Sequence, residues 1–312
     1  MKTRNAFSCQ NRECDFHAKV LLAEYTLAHD PGLAPEGAAM LRALTESFER
    51  CGYEVVTPGE GDFYDEIQRL APSCDAGLVI APDHRLFSYT TLLERLTHNI
   101  GCGSLNAAVC ANKRRAAAVL ARHGIPIPGE GVPGRRVLKP EQGCGTQGVR
   151  LSSGEPEKGE IAQEFIEGEH LSVSLIGSRL VGNACSYYTG KAPLLLAVNR
   201  QHVEIDDEGR FHYLGGETPV QHSRNDEIVG TAVQALNALG CQGYCGIDIV
   251  LADKPYVVDV NPRITTSLVG IVACMEEEIA DLLMAASKGE GPDAVHLSGR
   301  ARFDSHGRVE RL

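Results

Sequence analysis

Short apolar runs alternate with helical periodicities over the first hundred residues of the chain. The runs that predict strands are 18–24, 53–56 and 76–81. The periodic stretches that predict helices are 36–51, 63–70 and 86–98. We expect a loop over 25–35, because Pro and Gly break both patterns there. Strands that alternate with helices in this way predict a parallel, three-layer α/β unit.

Polar residues lie at the predicted strand ends of this unit. Ligands favour the carboxyl ends of parallel strands, so Glu24, Tyr25 and Asp83 are candidates for substrate contact. Glu36 is a further candidate, although an acid in the first turn of a helix also serves the helix dipole.

A lysine opens the next predicted helix, which runs from an N-cap at Asn112 to Gly124. The helix dipole disfavours a cation at this end, so Lys113 either faces an anionic ligand or is exposed to solvent. The pattern alone leaves both alternatives open.

A glycine-rich loop follows the short predicted strand 137–140, which carries Lys139. Gly143, Gly145 and Gly148 make the loop pliable, and its backbone N–H groups can close over phosphates. The string G-C-G-T-Q-G also matches a dinucleotide-binding fingerprint, but that motif requires a helix directly after the glycines. Here the pattern that follows is strand-like, so we predict a β-hairpin whose tip is a glycine flap.

Residues 161–166 and 171–176 are predicted strands, and the segment between them joins two sheets. Glu164, Phe165, Ile166 and Glu169 lie in or beside this linker. It can present backbone donors and acceptors to a flat base, with a carboxylate beyond for ribose hydroxyls, or it is an ordinary interdomain strand.

The C-terminal half continues with strands over 171–211 and an amphipathic helix over 225–240. We expect mostly helix over 267–286 and a final hairpin over 296–312 that turns at 305–307.

A hairpin over 244–263, with its turn at Lys254–Pro255, holds the strongest chemical signal. Asp248 and Asp259 lie within apolar strands and can face each other across it, and Asn261 points to the same side as Asp259. Two carboxylates and an amide oxygen suit Mg²⁺, which keeps waters or phosphates as its other ligands. The alternative is a pair of solvated carboxylates on a hairpin edge.

Composition and charge argue against several functional classes for this protein. The net charge of −11, without a basic stripe, argues against nucleic acid as a partner. No apolar run has transmembrane length, and no leader pattern begins the chain, so we expect a cytoplasmic protein that does not bind membranes. The 11 cysteines suit reduced thiols packed as small hydrophobes. Cys9, Cys14 and His17 form a weak metal motif in a polar N-terminal extension.

In this order the motifs resemble the ATP-grasp superfamily of carboxylate–amine ligases. They are the two lysines, the glycine flap, Q-E-F-I-E-G-E and G-I-D-I-V…V-V-D-V-N-P-R. The resemblance implies an α/β (α+β) ATP-grasp fold with a Rossmann-like N-terminal domain and two ATP-grasp subdomains. The implied division is an extension over 1–17, an N-terminal domain over 18–105, a small subdomain over 106–168 and a C-terminal subdomain over 169–312.

The resemblance also implies roles for matching residues. Lys113, Lys139 and the glycine flap would contact ATP phosphates, with Lys139 also near the adenine. Glu164, Phe165 and Ile166 would hold the adenine, and Glu169 the ribose. Asp248, Asp259 and Asn261 would bind Mg²⁺, with Mn²⁺ as an alternative. Arg263 would face the phosphoryl group or the substrate carboxylate.

Two departures from the superfamily stand out. Many members carry Glu at the position of Asp259, which makes the number of metal ions less certain. Many also carry an arginine where this chain has Gly246, so Arg263 or Arg224 would supply that cation.

The stretch E-Y-T-L-A-H-D-P-G-L-A-P-E-G-A-A-M-L also looks like tyramine–glutamate ligases of methanofuran-type cofactor biosynthesis. That likeness implies small-molecule acid and amine substrates, L-glutamate with tyramine or tyrosine. An amino acid–amino acid ligase and a non-catalytic nucleotide sensor are the alternatives. The oligomeric state is open, with a homodimer among the options.

Overall fold

The computed structural model describes residues 18–130, 134–143, 145–178 and 191–312. The motif of Cys9, Cys14 and His17 lies outside these residues. The described helices are α1 Thr26–His29, α2 Ala34–Arg50, α3 Phe63–Leu70, α4 Asp83–Leu96, α5 Ser104–Cys110, α6 Lys113–Arg122, α7 Asn225–Leu239, α8 Ser267–Cys274 and α9 Ile279–Ala286. The described strands are β1 Lys19–Glu24, β2 Glu54–Val56, β3 Ala76–Ile80, β4 His98–Asn99, β5 Arg136–Pro140, β6 Arg150–Ser152, β7 Glu160–Glu164, β8 Glu169–Gly177, β9 Leu194–Ile205, β10 Phe211–Thr218, β11 Gly243–Leu251, β12 Pro255–Asn261, β13 Ala301–Asp304 and β14 Val309–Arg311.

The first sheet is parallel, with strand order β2-β1-β3-β4. Successive side chains of β1 point to opposite faces, as the period of two requires. Leu22 packs towards Leu44 of α2, whereas Leu21 packs towards Ile67 of α3 and Leu93 of α4. Helices therefore cover both faces, and the predicted three-layer α/β unit is confirmed.

The prediction that 25–35 is a loop throughout is wrong, because the segment contains the short helix α1. The Glu24 carboxylate accepts hydrogen bonds from the backbone N–H groups of Thr26 and Leu27, at 3.0 and 2.9 Å. A side-chain carboxylate that satisfies orphan N–H groups stabilises the first turn of a helix. This local contact gives no apolar periodicity for a sequence pattern to detect.

The second sheet is antiparallel, with order β6-β5-β7. Strands β5 and β6 form the predicted hairpin, and the glycine flap connects them. A strand rather than a helix follows the glycines, so the rejection of the dinucleotide fingerprint is confirmed. Residue 144 of the flap lies outside the described residues.

The third sheet has seven antiparallel strands in the order β12-β11-β8-β9-β10-β13-β14. Helix α7 packs on one face, and α8 and α9 pack on the other. The expectation of mostly helix over 267–286 is confirmed by α8 and α9, and between them Met275 pairs with Leu297 in an isolated β-bridge. The final hairpin, β13–β14, is confirmed.

The hairpin β11–β12 places Asp248 opposite Asp259, with a register shift directly after Asp248. Its turn spans 252–254 and not Lys254–Pro255, because Pro255 already pairs with Leu251 in the ladder. The Ala252 N–H closes the turn on the Lys254 carbonyl at 3.1 Å.

One hydrophobic core joins the first and third sheets. It contains Leu44 of α2, Ile80 of β3, Leu268 of α8 and Leu283 of α9, all buried. The predicted boundaries between domains remain predictions, but this shared core fixes α2 against α8. In the described part of the chain, every helix is too short or too polar to cross a bilayer.

Candidate active site

A cleft of about 390 Å³ opens where the three sheets meet. At one end it is lined by β5, the glycine flap and the linker after β7. The hairpin β11–β12 forms its middle. The other end is lined by α2, the loop after β3, the residues that lead into α8, and the tip of the β13–β14 hairpin.

Asp248 is held by two amide side chains in the middle of the cleft. Gln201 Nε2 donates to its Oδ1 at 2.9 Å, and Asn261 Nδ2 donates to its Oδ2 at 3.0 Å. Loss of hydration and the nearby charge of Asp259 raise the pKa of Asp248 to about 7. The sequence expectation that Asp248, Asp259 and Asn261 lie together agrees with the Asn261 contact and with the pairing of Asp248 and Asp259 across the hairpin.

Asp259 faces a lysine instead of solvent. Lys113 Nζ donates to Asp259 Oδ2 at 2.5 Å, and the Lys113 side chain is only 7% exposed. Burial alone would raise the pKa of Asp259, but the charges of Lys113 and Lys139 outweigh it and lower that pKa. The alternative of an exposed lysine is therefore wrong, and the partner in this structure is a carboxylate of the protein, while a contact of Lys113 with an anionic ligand stays a prediction.

Lys139 lies beside this pair. Its Nζ donates to the Val258 carbonyl at 2.7 Å. Burial lowers the pKa of Lys139 to about 8, although the charge of Asp259 works in the opposite direction. Two buried ammonium groups and two carboxylates therefore occupy the middle of the cleft.

This donor set fits a divalent cation completed by phosphate oxygens. Burial and the charge of Asp259 raise the pKa of Asp248, and a cation between the two carboxylates would lower it. Among the described residues, no group of three or more His, Cys, Asp or Glu side chains is arranged to hold a metal. A third protein ligand would therefore be the amide oxygen of Asn261, after its amide turns.

The predicted adenine residues Glu164, Phe165 and Ile166 line the cleft, as does Gly145 of the flap. Gly143 and Gly148 lie beside the flap segment that faces the cleft and are not part of its lining. The roles assigned to these residues stay predictions.

Glu169 lies next to this end of the cleft without lining it. Its Oε1 accepts from Arg200 Nε at 2.8 Å, and its Oε2 lies 3.5 Å from His222 Nε2. A ribose that binds Glu169 would have to share a carboxylate already paired with Arg200.

Arg263 lines the cleft and is anchored at the start of α4, since its Nε donates to Asp83 Oδ1 at 2.9 Å. Asp83 is therefore a partner that positions Arg263, and not part of the cleft wall. Arg224 does not supply the missing cation. Its guanidinium donates to the carbonyls of Ala252 and Asp253, at 2.6 and 2.7 Å, away from the cleft.

Of the N-terminal candidates, Glu24 and Glu36 line the cleft and Tyr25 does not. The Tyr25 ring stacks on His29, with centroids 4.8 Å apart, and packs against Phe63. Tyr25 belongs to an aromatic cluster, and its position at a strand end therefore does not bring its side chain into the cleft.

Sequence reasoning missed Gln201, Tyr213 and Thr266, which also line the cleft. A register shift between Tyr213 and Gly215 interrupts the pairing of β10 with β9. Such bulges redirect side chains and leave little trace in a hydrophobic pattern. The hydroxyl run T-T-S after N-P-R was the one available signal for Thr266.

Comparisons with known proteins agree with this architecture. The ATP-grasp domain family matches residues 110–267. Tyramine–L-glutamate ligase of Methanocaldococcus fervens is 28% identical over 87% of this chain and 94% of its own length. The same-named enzyme of Methanocaldococcus jannaschii is 28% identical over 87% of this chain and 90% of its own.

A solved structure, a putative ATP-grasp superfamily protein from Archaeoglobus fulgidus, has a TM-score of 0.75 and 28% identity. The alignment covers 92% of both chains. The match of the family over half of the sequence and the arrangement of the three sheets lead to one conclusion. The chain belongs to the ATP-grasp family, as its motifs indicated.

Proposed function

We propose that this chain is an ATP-dependent carboxylate–amine ligase that joins L-glutamate to an aromatic amine, tyramine or tyrosine, in methanofuran-type cofactor biosynthesis. Its relatives named tyramine–L-glutamate ligase support the choice of substrates. The observation that carries the proposal is one continuous cleft. It joins the charged side chains of Lys113, Lys139, Asp248 and Asp259 to an end lined by α2 and the tip of the β13–β14 hairpin.

The chemistry needs no protein nucleophile. Transfer of the γ-phosphoryl group of ATP to a carboxylate gives an acyl phosphate and ADP, and an amine then attacks the acyl carbon and expels phosphate. Catalysis of this kind consists of positioning and charge neutralisation. A divalent ion at Asp248 and Asp259, Mg²⁺ or alternatively Mn²⁺, would neutralise phosphate charge when bound.

The chain's own residues divide the remaining tasks. Lys113 and Lys139 place ammonium groups beside the metal carboxylates, where phosphates would lie. Arg263, fixed by Asp83, is directed at the acid's carboxylate or the phosphoryl group in transfer. The glycine flap closes over the nucleotide and excludes water, which would otherwise hydrolyse the acyl phosphate.

An assay of ATP turnover with pairs of acids and amines tests the proposal. We expect ADP and phosphate in a one-to-one ratio with the amide when L-glutamate and tyramine are supplied together. Release of AMP would contradict the acyl-phosphate route. If an amide forms only when the amine is an amino acid, that amino acid takes the place of tyramine as the proposed substrate.

The place of action is proposed on chemical grounds. The seven described cysteines are free, and free thiols persist in reducing compartments. We therefore propose that the enzyme works in the cytoplasm.

A further inference from the structure

The end of the cleft away from the nucleotide is a chamber built from both ends of the described chain. Its walls are Glu24, Leu33, Glu36, Met40, Ile80, Tyr213, Thr266, Ser305 and His306. We call this set the α2 chamber, since the first turns of α2 form one side. Most of these residues, and therefore most of the chamber, lie outside the segment that the ATP-grasp family matches, 110–267.

Two carboxylates face the α2 chamber, and they differ in the number of hydrogen bonds that they accept. Glu24 is 4% exposed and accepts from Thr26 Oγ1 at 2.7 Å as well as from two backbone N–H groups. Glu36 is half-buried, and within the described residues Thr266 Oγ1 is its one recorded hydrogen-bond donor. A carboxylate has room for about four donors, so Glu36 retains acceptor capacity towards the cleft.

Charge is divided along the cleft. Lys113 and Lys139 lie in the middle beside Asp248 and Asp259, whereas the carboxylates Glu24 and Glu36 lie at the α2 chamber. An anionic acid and its phosphoryl donor are favoured beside the cations, and a positively charged amine is favoured beside the carboxylates. Leu33, Met40 and Ile80 add apolar surface next to Glu36, as an amine with an apolar body requires.

We propose that the α2 chamber is the amine subsite of the ligase, in which Glu36 binds the ammonium group of a primary amine with an apolar body. This inference rests on the proposed function and assigns the second substrate its place. When the amine attacks, one proton of the ammonium must first leave the nitrogen. The Glu36 carboxylate lies next to it and accepts that proton, which leaves a neutral amine and a neutral carboxyl group.

The tip of the β13–β14 hairpin closes the α2 chamber. Gly307 has φ +77°, and a Cβ there would come within 2.3 Å of Ala39 Cβ on α2. The tip is therefore packed directly on the helix that carries Glu36, with Ser305 and His306 facing the cleft. A wall fixed in this way limits the length of the amine that fits.

Glu36→Gln tests the subsite, with Glu46→Gln as the matched control. Glu46 lies on the same helix, is 57% exposed and pairs with Arg50 outside the cleft. Glutamine still accepts from Thr266, so the fold is kept. We expect Glu36→Gln to raise the KM for the amine about 10- to 100-fold, because a charge-assisted hydrogen bond is lost. The KM values for ATP and the acid should stay unchanged, and Glu46→Gln should behave as wild type.

Hydroxylamine separates the two half-reactions, because it is small, largely uncharged near neutral pH, and traps an acyl phosphate without an ammonium site. Glu36→Gln should form hydroxamate from ATP and the acid at the wild-type rate. Loss of hydroxamate together with a raised KM for the acid would overturn the inference, since Glu36 would then bind the amino group of the acid. A wild-type enzyme that forms no hydroxamate from any acid would refute the ligase function itself, and the subsite with it.

His306→Ala tests the hairpin wall, with His296→Ala as its control. His296 is exposed, pairs with Glu277 and does not line the cleft. We expect His306→Ala to raise the KM for the cognate amine and to improve turnover of longer amines, with hydroxamate formation unchanged. An unaltered preference among amines would show that the hairpin takes no part in selecting the amine.

Discussion

Lys113 Nζ and Asp259 Oδ2 lie 2.5 Å apart and form a buried ion pair between the start of α6 and the strand β12. Both side chains belong to the predicted ATP site, so the pair has two tasks. In the nucleotide-free protein each charge compensates the other. In the proposed ligase, we expect Lys113 to turn to phosphate and Asp259 to turn to the metal when nucleotide binds.

Asp259→Ala should abolish turnover and also destabilise the protein. It removes a metal ligand and leaves the Lys113 ammonium buried without its carboxylate, which costs about 3–5 kcal/mol when a buried pair is broken. We expect ATP binding, measured by calorimetry, to be largely retained. Denaturant unfolding of the free protein measures the loss of stability.

The double variant Lys113→Met/Asp259→Ala separates these two effects. Removal of both charges should restore much of the stability without restoring turnover. A double variant as unstable as Asp259→Ala would show that the pair does not account for the loss.

Nucleotide affinity should fall as the pH rises through about 8, the pKa of the buried Lys139. Above that pH the ammonium loses its proton and its attraction for phosphate, which gives about a tenfold loss by one pH unit above the pKa. Binding titrations at pH 7 and 9 measure this change. Lys139→Arg should bind with little pH dependence, because a guanidinium stays charged throughout.

The stability of the nucleotide-free protein should change in the opposite direction. Between the folded pKa of about 8 and the ordinary 10.5, the unfolded chain binds more protons at Lys139 than the folded chain. The contribution of this residue to the free energy of unfolding therefore increases as the pH rises through that window. Lys139→Met should remove the increase.

Gly145→Ala should uncouple ATP hydrolysis from amide formation. Gly145 lines the cleft at φ +62°, a backbone conformation that alanine adopts only with strain of about 1 kcal/mol. A flap that closes poorly admits water to the acyl phosphate, so more ADP forms for each amide. Gly159→Ala imposes at least as much strain, at φ +90° outside the cleft, and should remain coupled.

Asp83→Asn should weaken binding of the acid without affecting ATP. The Asp83 carboxylate, 3% exposed, holds Arg263 Nε at 2.9 Å, and a neutral amide holds the guanidinium less firmly. We expect the KM for the acid to rise about tenfold. Asp65→Asn, an exposed residue of α3, is the control. A raised KM for ATP alone would place Arg263 on the nucleotide instead.

Much of this architecture could be predicted from sequence because its signals are local and periodic. The limits of α3 follow directly from its apolar spacing, and Asp248 and Asp259 stand out as charged residues in apolar strands. Their opposition across β11 and β12 needs only a short turn and a period of two. The order of the motifs then carried the family assignment.

The partners of these residues could not be predicted, since they come from distant parts of the chain. Lys113 and Asp259 are 146 positions apart, and Arg263 and Asp83 are 180 apart. Gln201 and Tyr213 reach the cleft through the pairing and bulge of β9 and β10, which depend on the assembled sheet. Helix α1 escaped detection because one carboxylate, and not an apolar stripe, supports it.

The contact between Gly307 and Ala39 brings a late hairpin onto an early helix, while the phosphoryl-transfer machinery lies on the segments between them. If the proposed subsite is correct, the residues that select the amine come mainly from stretches of sequence other than those that carry out phosphoryl transfer. Substitutions in α2 and the β13–β14 hairpin could then change the preferred amine without changing the residues that bind ATP.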